Sequence, residues 1–128
     1  MAAADPNASR PVVLLVDDEP GLLDSMRPGL ERDFDLDCAN SAEEADMLLA
    51  TRSYDVVVSD HLMPGEEGLK FLIRSAKRHP GMLRIMLTGY MNPELISRSV
   101  AVADLTACLV KPVRASDLAE TIRRALNA

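Results

Sequence analysis

Four apolar segments of this chain are each followed by a side chain that could do chemistry. Together they supply three carboxylates, one hydroxyl and one ammonium group: Asp17, Asp18, Asp60, Thr88 and Lys111. Carboxylates held close together repel one another, and a bound divalent cation is the usual way in which a protein relieves that repulsion. If the ends of these segments meet, the set predicts metal-assisted handling of a phosphoryl group.

The segments can meet if they are parallel strands of one sheet. Near-continuous runs of Val, Ile and Leu are typical of parallel strands that are buried on both faces. The predicted strands are Val12–Val16, Leu36–Ala39, Val56–Ser59, Arg84–Leu87 and Ala107–Val110. Apolar residues at helical spacing lie between them and after the last one, so strand and helix alternate five times.

This alternation predicts the fold class. Short connections between alternating strands and helices imply right-handed crossovers and a parallel sheet that is covered on both faces. Five units are too few to close an eight-stranded barrel. We therefore expect an α/β fold, a three-layer, doubly wound sheet of five parallel strands. In an open sheet of this kind, ligands bind beyond the carboxyl ends of the strands.

Local signals mark several helix boundaries. Ser41 followed by Glu44 is the pattern of a capping box, and Asn92 before Pro93 is typical of a helix start. Pro28 and Gly29 stand inside the first predicted helix. Because an interior proline removes a hydrogen bond and clashes with the preceding turn, the sequence predicts a kink or split near Arg27.

Size and composition restrict the class of protein. A chain of 128 residues is one ordinary domain, and 48% hydrophobic with 27% charged residues is a globular balance. The net charge of -6 argues against direct binding of nucleic acid, which needs basic surfaces. No apolar stretch is long enough to span a membrane, and the first residues lack the features of a signal peptide. We expect a cytoplasmic protein with a flexible tail at residues 1–10, a single domain at 11–128 and no output domain in this chain.

The two cysteines are not expected to form a disulfide. Cys38 and Cys108 belong to different short strands, which are predicted to lie at opposite edges of the sheet. A separation of that size rules out a disulfide bond. Both residues are expected to act as small, buried or half-buried apolar side chains.

The functional residues resemble a known family. The set that carries the resemblance is Asp17-Asp18, Asp60 followed by Met63-Pro64 and Gly68, Thr88, and Lys111-Pro112. It is similar to the receiver domain of bacterial two-component response regulators, over residues 11–126. The resemblance implies a flavodoxin-like sheet with strand order 2-1-3-4-5. It also implies a phosphorylation-dependent signalling switch that accepts a phosphoryl group from a histidine kinase or phosphotransfer protein. Such a domain is not an enzyme beyond its own phosphoryl transfer and slow autodephosphorylation.

The resemblance also implies a metal site. Asp60 is the expected phosphoacceptor, a carboxylate nucleophile that forms an acyl phosphate. Asp18, Asp60 and the backbone carbonyl of Leu62 are the expected protein ligands of Mg²⁺, and Asp17 is expected to act through water. A few protein ligands with retained waters is the usual manner of Mg²⁺ binding.

Three further groups are implied to bind the phosphoryl oxygens. Lys111 is expected to pair with one oxygen as a mobile point charge. The Thr88 hydroxyl and the Gly89 backbone N–H are expected to bind another, as preorganised donors do elsewhere. In the family the peptide bond between Lys111 and Pro112 is cis.

One position departs from the family pattern. Receivers usually carry Tyr or Phe three residues before the lysine, where the ring turns inward as the threonine moves; here that residue is Cys108. We expect Tyr90, the aromatic residue nearest to Thr88 in sequence, either to report on phosphorylation in its place or to be an ordinary exposed loop residue.

His61 follows Asp60 and, because adjacent strand residues face opposite ways, is expected to lean away from it and to be partly exposed.

Two other functions remain open from the sequence. A phosphatase with an aspartate nucleophile typically needs a second acid two residues later, and Leu62 occupies that position. A degenerate receiver could bind a protein without being phosphorylated, although the complete set of site residues argues against it. The downstream partner is expected to be a protein target or a fused output domain, reached through the fourth helix, fifth strand and fifth helix.

Overall fold

Strands and helices alternate along the chain in the computed structural model, which describes residues 10–63, 65–89 and 92–127. The strands are β1 (Val12–Val16), β2 (Asp35–Ala39), β3 (Val56–Asp60), β4 (Leu83–Thr88) and β5 (Ala107–Val110). The helices are α1 (Pro20–Leu30), α2 (Ala42–Thr51), α3 (Gly68–Arg78), α4 (Pro93–Ala103) and α5 (Ala115–Leu126). All neighbouring strands are parallel, in the order β2-β1-β3-β4-β5. The predicted fold class and strand order are confirmed.

The core forms two layers because alternate strand residues face opposite sides of the sheet. On one face Val57 packs with residues of α2, α3 and α4, among them Phe71 and Ala103. On the other face Val56 and Val58 pack with residues of α1 and α5. Every residue of β3 is buried, as expected for the central strand. The sheet therefore holds its strand ends at one edge, sandwiched between two layers of helices.

Helix α1 differs from the sequence prediction. It continues without a break through Pro28, so the interruption expected near Arg27 is wrong. Pro28 lies in the last turn, where its missing N–H removes only one hydrogen bond, and the helix ends with the N–H of its C-cap residue, Glu31, donating to the Arg27 carbonyl at 2.8 Å. Gly29 has a packing role, because a Cβ at this position would lie 2.6 Å from the Cβ of Ala115. The glycine lets α1 approach α5.

Two other predictions agree with the structure. The Ser41 side chain accepts a hydrogen bond from Glu44 N at 3.1 Å, and Asn92 accepts one from Glu94 N at 2.9 Å, so both residues cap helices. Cys38 lies in one edge strand and both cysteines are free.

The ends of the chain are only partly described. The predicted tail lies outside the described residues except for Arg10, which donates a hydrogen bond to the carbonyl of Glu31 at 2.8 Å. Its flexibility stays a prediction, as does the division of the chain into a tail and one domain. In the described part of the chain, each helix is too short or too polar to cross a membrane.

Candidate functional site

Three carboxylates meet beyond the carboxyl ends of β1 and β3. Val16 pairs with Ser59 in the parallel register, so Asp17 and Asp60 leave neighbouring strands at the same level. Asp18 follows in the same loop. One carboxylate oxygen from each of the three lies within 4.8 Å of the others. The structure thus brings together the acidic residues that the sequence separates by more than forty positions.

Asp17 is fully buried at this site. Its Oδ1 accepts a hydrogen bond from Glu19 N at 2.9 Å, whereas Oδ2 is buried and has no hydrogen-bond partner among the described residues. Burial raises the pKa of this carboxyl, and the Glu19 bond and the charge of Lys111 only partly oppose that rise. The fold therefore holds a carboxylate oxygen that lacks the partner a buried polar atom normally has.

Lys111 reaches the carboxylates from the end of β5. Its Nζ lies 3.1 Å from Asp60 Oδ1 and 3.6 Å from Asp17 Oδ2, and its backbone N donates to the Thr88 carbonyl at 2.7 Å. Burial alone would lower the pKa of Lys111, but the hydrogen bond to Asp60 and the surrounding negative charges outweigh it and raise the pKa. The peptide bond to Pro112 is cis, as the resemblance predicts. The ammonium group thus stays charged against the carboxylates.

Gly68 explains how α3 can begin directly against Asp60. Its N–H donates to the His61 carbonyl at 2.8 Å, and a Cβ at this position would lie 1.6 Å from the Asp60 backbone oxygen. No side chain fits at such a distance from backbone. The glycine in the sequence motif is therefore required by the packing of α3 on the end of β3.

The remaining predicted site residues lie in loops at the same edge of the sheet. Leu62 is in the loop after β3 and is 49% exposed, and Gly89 is exposed directly after β4. Tyr90 lies outside the described residues. The roles expected for the Leu62 carbonyl, the Gly89 N–H and the Tyr90 ring stay predictions.

His61 is the residue that the sequence reasoning placed wrongly. It is only 6% exposed, and its Nδ1 lies 3.1 Å from the Oγ1 of Thr88, which is also buried. The expectation of partial exposure fails because His61 N donates to the Leu87 carbonyl at 2.7 Å. This bond extends the pairing of β3 with β4 by one residue, and the start of α3 covers it. The alternation along Val57, Ser59 and His61 would have indicated an inward direction.

Cys108 lies on β5 next to Met86 on β4. It is half-buried, packs against the core layer of α2, α3 and α4, and burial raises the pKa of its thiol. Position 108 therefore contributes a small side chain where a family member usually has a ring.

A comparison with known protein families agrees with this geometry. The family described as "Response regulator receiver domain" matches residues 13–123, which include the three carboxylates and all five strands except Val12, the first residue of β1. The chain belongs to this family. Receiver domains typically bind Mg²⁺ at an acidic pocket and partner with histidine kinases, and a receiver is not a classical enzyme.

Receivers of known proteins match most of the chain. The hydrogenase transcriptional regulatory protein HoxA of Cupriavidus necator is 35% identical over 116 residues, which is 91% of this chain and 24% of HoxA. The response regulator protein PilR of Pseudomonas aeruginosa is 31% identical over 120 residues, 93% of this chain and 27% of PilR. The chain thus spans about a quarter of the length of these relatives.

Solved structures show the same fold. The signal receiver domain of an HD domain-containing protein from Pseudomonas fluorescens Pf-5 superimposes with a TM-score of 0.85 at 32% identity, covering 92% of this chain and 95% of that one. A CheY-like response regulator receiver domain protein from Methanospirillum hungatei JF-1 gives a TM-score of 0.85 at 32% identity, covering 93% and 95%.

Proposed function

We propose that this chain is a phosphorylation-dependent signalling switch in which Asp60 accepts a phosphoryl group from a histidine kinase or phosphotransfer protein. The observation that carries the proposal is the position of Lys111, whose Nζ lies 3.1 Å from Asp60 Oδ1 inside a cluster of three carboxylates. A lysine held there can bind a phosphoryl oxygen as soon as one is attached to Asp60.

The proposed step is a nucleophilic displacement at phosphorus. A carboxylate oxygen of Asp60 forms a bond to phosphorus while the bond from phosphorus to the donor nitrogen breaks, and the donor leaves with that electron pair. The product is an acyl phosphate. Because a negative oxygen attacks a negative group, positive charge is needed at the site, and Lys111 supplies part of it.

The residues present fit a magnesium ion. Carboxylate and carbonyl oxygens are the ligands that Mg²⁺ prefers. The Oδ2 of buried Asp17 accepts no hydrogen bond among the described residues, and its one cationic neighbour there, Lys111 Nζ, is 3.6 Å away, so this oxygen can still accept from a water bound to the ion. We propose that Asp18, Asp60 and the Leu62 carbonyl hold the ion and that Asp17 contributes through water. When bound, Mg²⁺ supplies positive charge that offsets the charge of the carboxylates and of the phosphoryl oxygens.

The switch itself is proposed to start at Thr88. Its hydroxyl and the Gly89 N–H bind a phosphoryl oxygen, and the change passes to α4, β5 and α5, the proposed face for the downstream target. Cys108 cannot act as an aromatic rotor in this response. We propose instead that the Tyr90 ring reports on phosphorylation. The test is the effect of Tyr90→Ala on the phosphorylation-dependent NMR shifts of the α4 amides. Unchanged shifts in the variant would refute this role of Tyr90.

The proposed partners follow from the family. A sensor histidine kinase or phosphotransfer protein supplies the phosphoryl group in the cytoplasm, and a protein target or a fused output domain receives the signal. HoxA is a transcriptional regulatory protein by name, which supports an output of that kind. The net charge of -6 argues against direct contact of this domain with nucleic acid, which needs basic surfaces, and we propose no membrane partner either.

Incubation with acetyl phosphate and Mg²⁺, followed by intact mass, tests the function. We expect one added phosphoryl group that is labile to hydroxylamine and absent from Asp60→Asn. Asp24→Asn, on the exposed side of α1, is the matched control and should label like the wild type. Multiple turnover of phosphomonoesters would instead indicate a phosphatase. No labelling in the wild type would indicate a binding module that works without phosphorylation.

A further inference from the structure

We propose that His61 is a positioning residue that holds the Thr88 hydroxyl in the unphosphorylated state and so opposes phosphorylation. The inference rests on the proposed function, because the Thr88 hydroxyl must break its hydrogen bond with His61 before it can bind a phosphoryl oxygen on Asp60. It assigns to His61 the control of Thr88 that the chain cannot obtain from an aromatic residue at position 108.

The ring of His61 is held in place by its own backbone. His61 N donates to the Leu87 carbonyl at 2.7 Å, and its carbonyl accepts from Gly68 N at 2.8 Å. Both bonds join the residue to secondary structure, one to β4 and one to the start of α3. With Nδ1 3.1 Å from Thr88 Oγ1 and both side chains buried, the contact is a fixed feature of the site.

Thr88 is fixed at its backbone and adjustable at its side chain. It is the last residue of β4, and its carbonyl accepts from Lys111 N at 2.7 Å. Its hydroxyl carries a single hydrogen. If His61 Nδ1 accepts that hydrogen, the same hydrogen is not available to a phosphoryl oxygen on Asp60. Phosphorylation must then break the contact between His61 and Thr88.

The location of His61 agrees with a role in switching. Met86 and Thr88 alternate along β4, so they point to the same face of the sheet, and Met86 pairs with Cys108. His61 continues the same face from β3. The histidine ring therefore lies beside Thr88 on the face of the sheet that carries position 108, where other family members have their aromatic switch residue. His61 gives the Thr88 hydroxyl a polar partner on this face, which Cys108 does not.

The affinity for beryllofluoride in the presence of Mg²⁺ measures the effect, since this ion mimics a phosphoryl group on a carboxylate. In His61→Leu the bulk remains and the hydrogen bond is lost, and we expect binding roughly three- to tenfold tighter, the range of one net hydrogen bond. In His61→Asn the side-chain oxygen takes the place of Nδ1, and we expect affinity near that of the wild type. In a Thr88→Val background, His61→Leu should change the affinity less than about twofold. Valine has no hydroxyl, so the second substitution has no hydrogen bond to remove, and the double-mutant cycle isolates the interaction between the two residues.

The outcomes separate the two proposals. A wild type that binds no beryllofluoride would refute the proposed function and the role of His61 with it. A wild type that binds as tightly as His61→Leu, or an effect that persists in Thr88→Val, would refute only the role of His61. Weaker binding by His61→Leu would show that His61 orients Thr88 toward the phosphoryl group, which also overturns the inference.

A measurement on the wild type tests the inference without depending on whether the variants fold. Side-chain ¹⁵N spectra distinguish the two tautomers of a neutral histidine. We expect Nδ1 of His61 to lack a hydrogen in the resting protein and its signal to shift when beryllofluoride and Mg²⁺ are added. A hydrogen on Nδ1 in the resting protein, or a signal that does not move, would contradict the inference.

Discussion

Asp17→Asn is expected to make the metal-free protein more stable and the magnesium-bound protein less stable than the wild type. Asp17 is fully buried, its Oδ2 has no hydrogen-bond partner among the described residues, and burial raises its pKa. Asparagine keeps an oxygen that can accept from Glu19 N and removes the buried charge. The buried charge of Asp17 in the wild type therefore lowers the free energy of unfolding of the metal-free protein.

The size of the effect follows from the contacts. An unsatisfied buried polar group costs about 1–3 kcal/mol. The attraction to Lys111 Nζ at 3.6 Å is lost in the variant and offsets part of the gain. We therefore expect a net stabilisation of about 1 kcal/mol, or about 3–5 °C in Tm for a domain of this size. With Mg²⁺ at a hundred times the wild-type Kd the wild type gains about 2.7 kcal/mol. Loss of an outer-shell partner typically weakens metal binding about 10- to 100-fold, so the variant gains only about 0.4–1.4 kcal/mol and the order of stability reverses.

Urea unfolding in a chelator and in Mg²⁺ tests this reversal. The exposed Asp24→Asn is the control and should stay within about 0.5 kcal/mol of the wild type in both conditions. Because the folded-state pKa of Asp17 is raised, its charge lowers the free energy of unfolding at pH values above that pKa. This loss of stability disappears as the pH falls from the folded-state pKa to the ordinary value of 3.8, because the carboxyl becomes protonated. The advantage of asparagine should narrow over the same window. A metal-free variant less stable than the wild type would refute the reasoning.

Three further substitutions, and one control, have expected outcomes. Gly68→Ala should lower the free energy of unfolding by about 2–3 kcal/mol, because the added Cβ meets the Asp60 backbone, whereas Gly21→Ala, with open space around it, should raise it by up to about 1 kcal/mol; urea unfolding measures both. Arg84→Met should cost about 3 kcal/mol in the same assay, because it leaves three backbone carbonyls without their buried donor. Lys111→Met should slow labelling of Asp60 by acetyl phosphate about a hundredfold, the usual effect of losing one charge-stabilising group, and an unchanged rate would contradict its role.

The fold could be predicted because the strands of a parallel sheet carry a strong local signal. The run Val56–Asp60 is buried on both faces, so its composition alone marks it as central. Asp35–Ala39 mixes acidic and apolar residues, as an edge strand does. The convergence of the carboxylates then follows, because parallel strands present their carboxyl ends at one edge.

Tertiary contacts account for what the sequence did not indicate. Nothing local shows that Gly29 faces Ala115 across two helices, or that Pro28 falls late enough in α1 to be tolerated. Arg84 is predicted at the start of a strand, but its burial depends on the carbonyls of Ala103 and Asp104, which lie 19 and 20 residues later at the end of α4. The prediction for His61 depends on its neighbour Asp60 alone, whereas β4 and the start of α3 determine the environment of its side chain.

The two ends of β4 predict how a change at Thr88 reaches α4. At one end, buried Arg84 donates to the carbonyls of Ala103 at 3.0 Å and Asp104 at 3.1 Å, which anchors the carboxyl end of α4. At the other end, Thr88 precedes Pro93, where α4 begins, by five positions. We therefore expect a movement of Thr88 to act on the start of the helix, which is near it in sequence, while Arg84 holds the far end.

We expect beryllofluoride with Mg²⁺ to shift the amide signals of the first turn of α4 more than those around Ala103. In Arg84→Met the anchor is lost, so the shifts should spread along the whole helix. Arg98→Met is the matched control, because this arginine is exposed on α4 and bonds only to Glu94 among the described residues, and it should keep the wild-type gradient. Equal shifts at both ends of α4 in the wild type would show that Arg84 does not anchor the helix during switching.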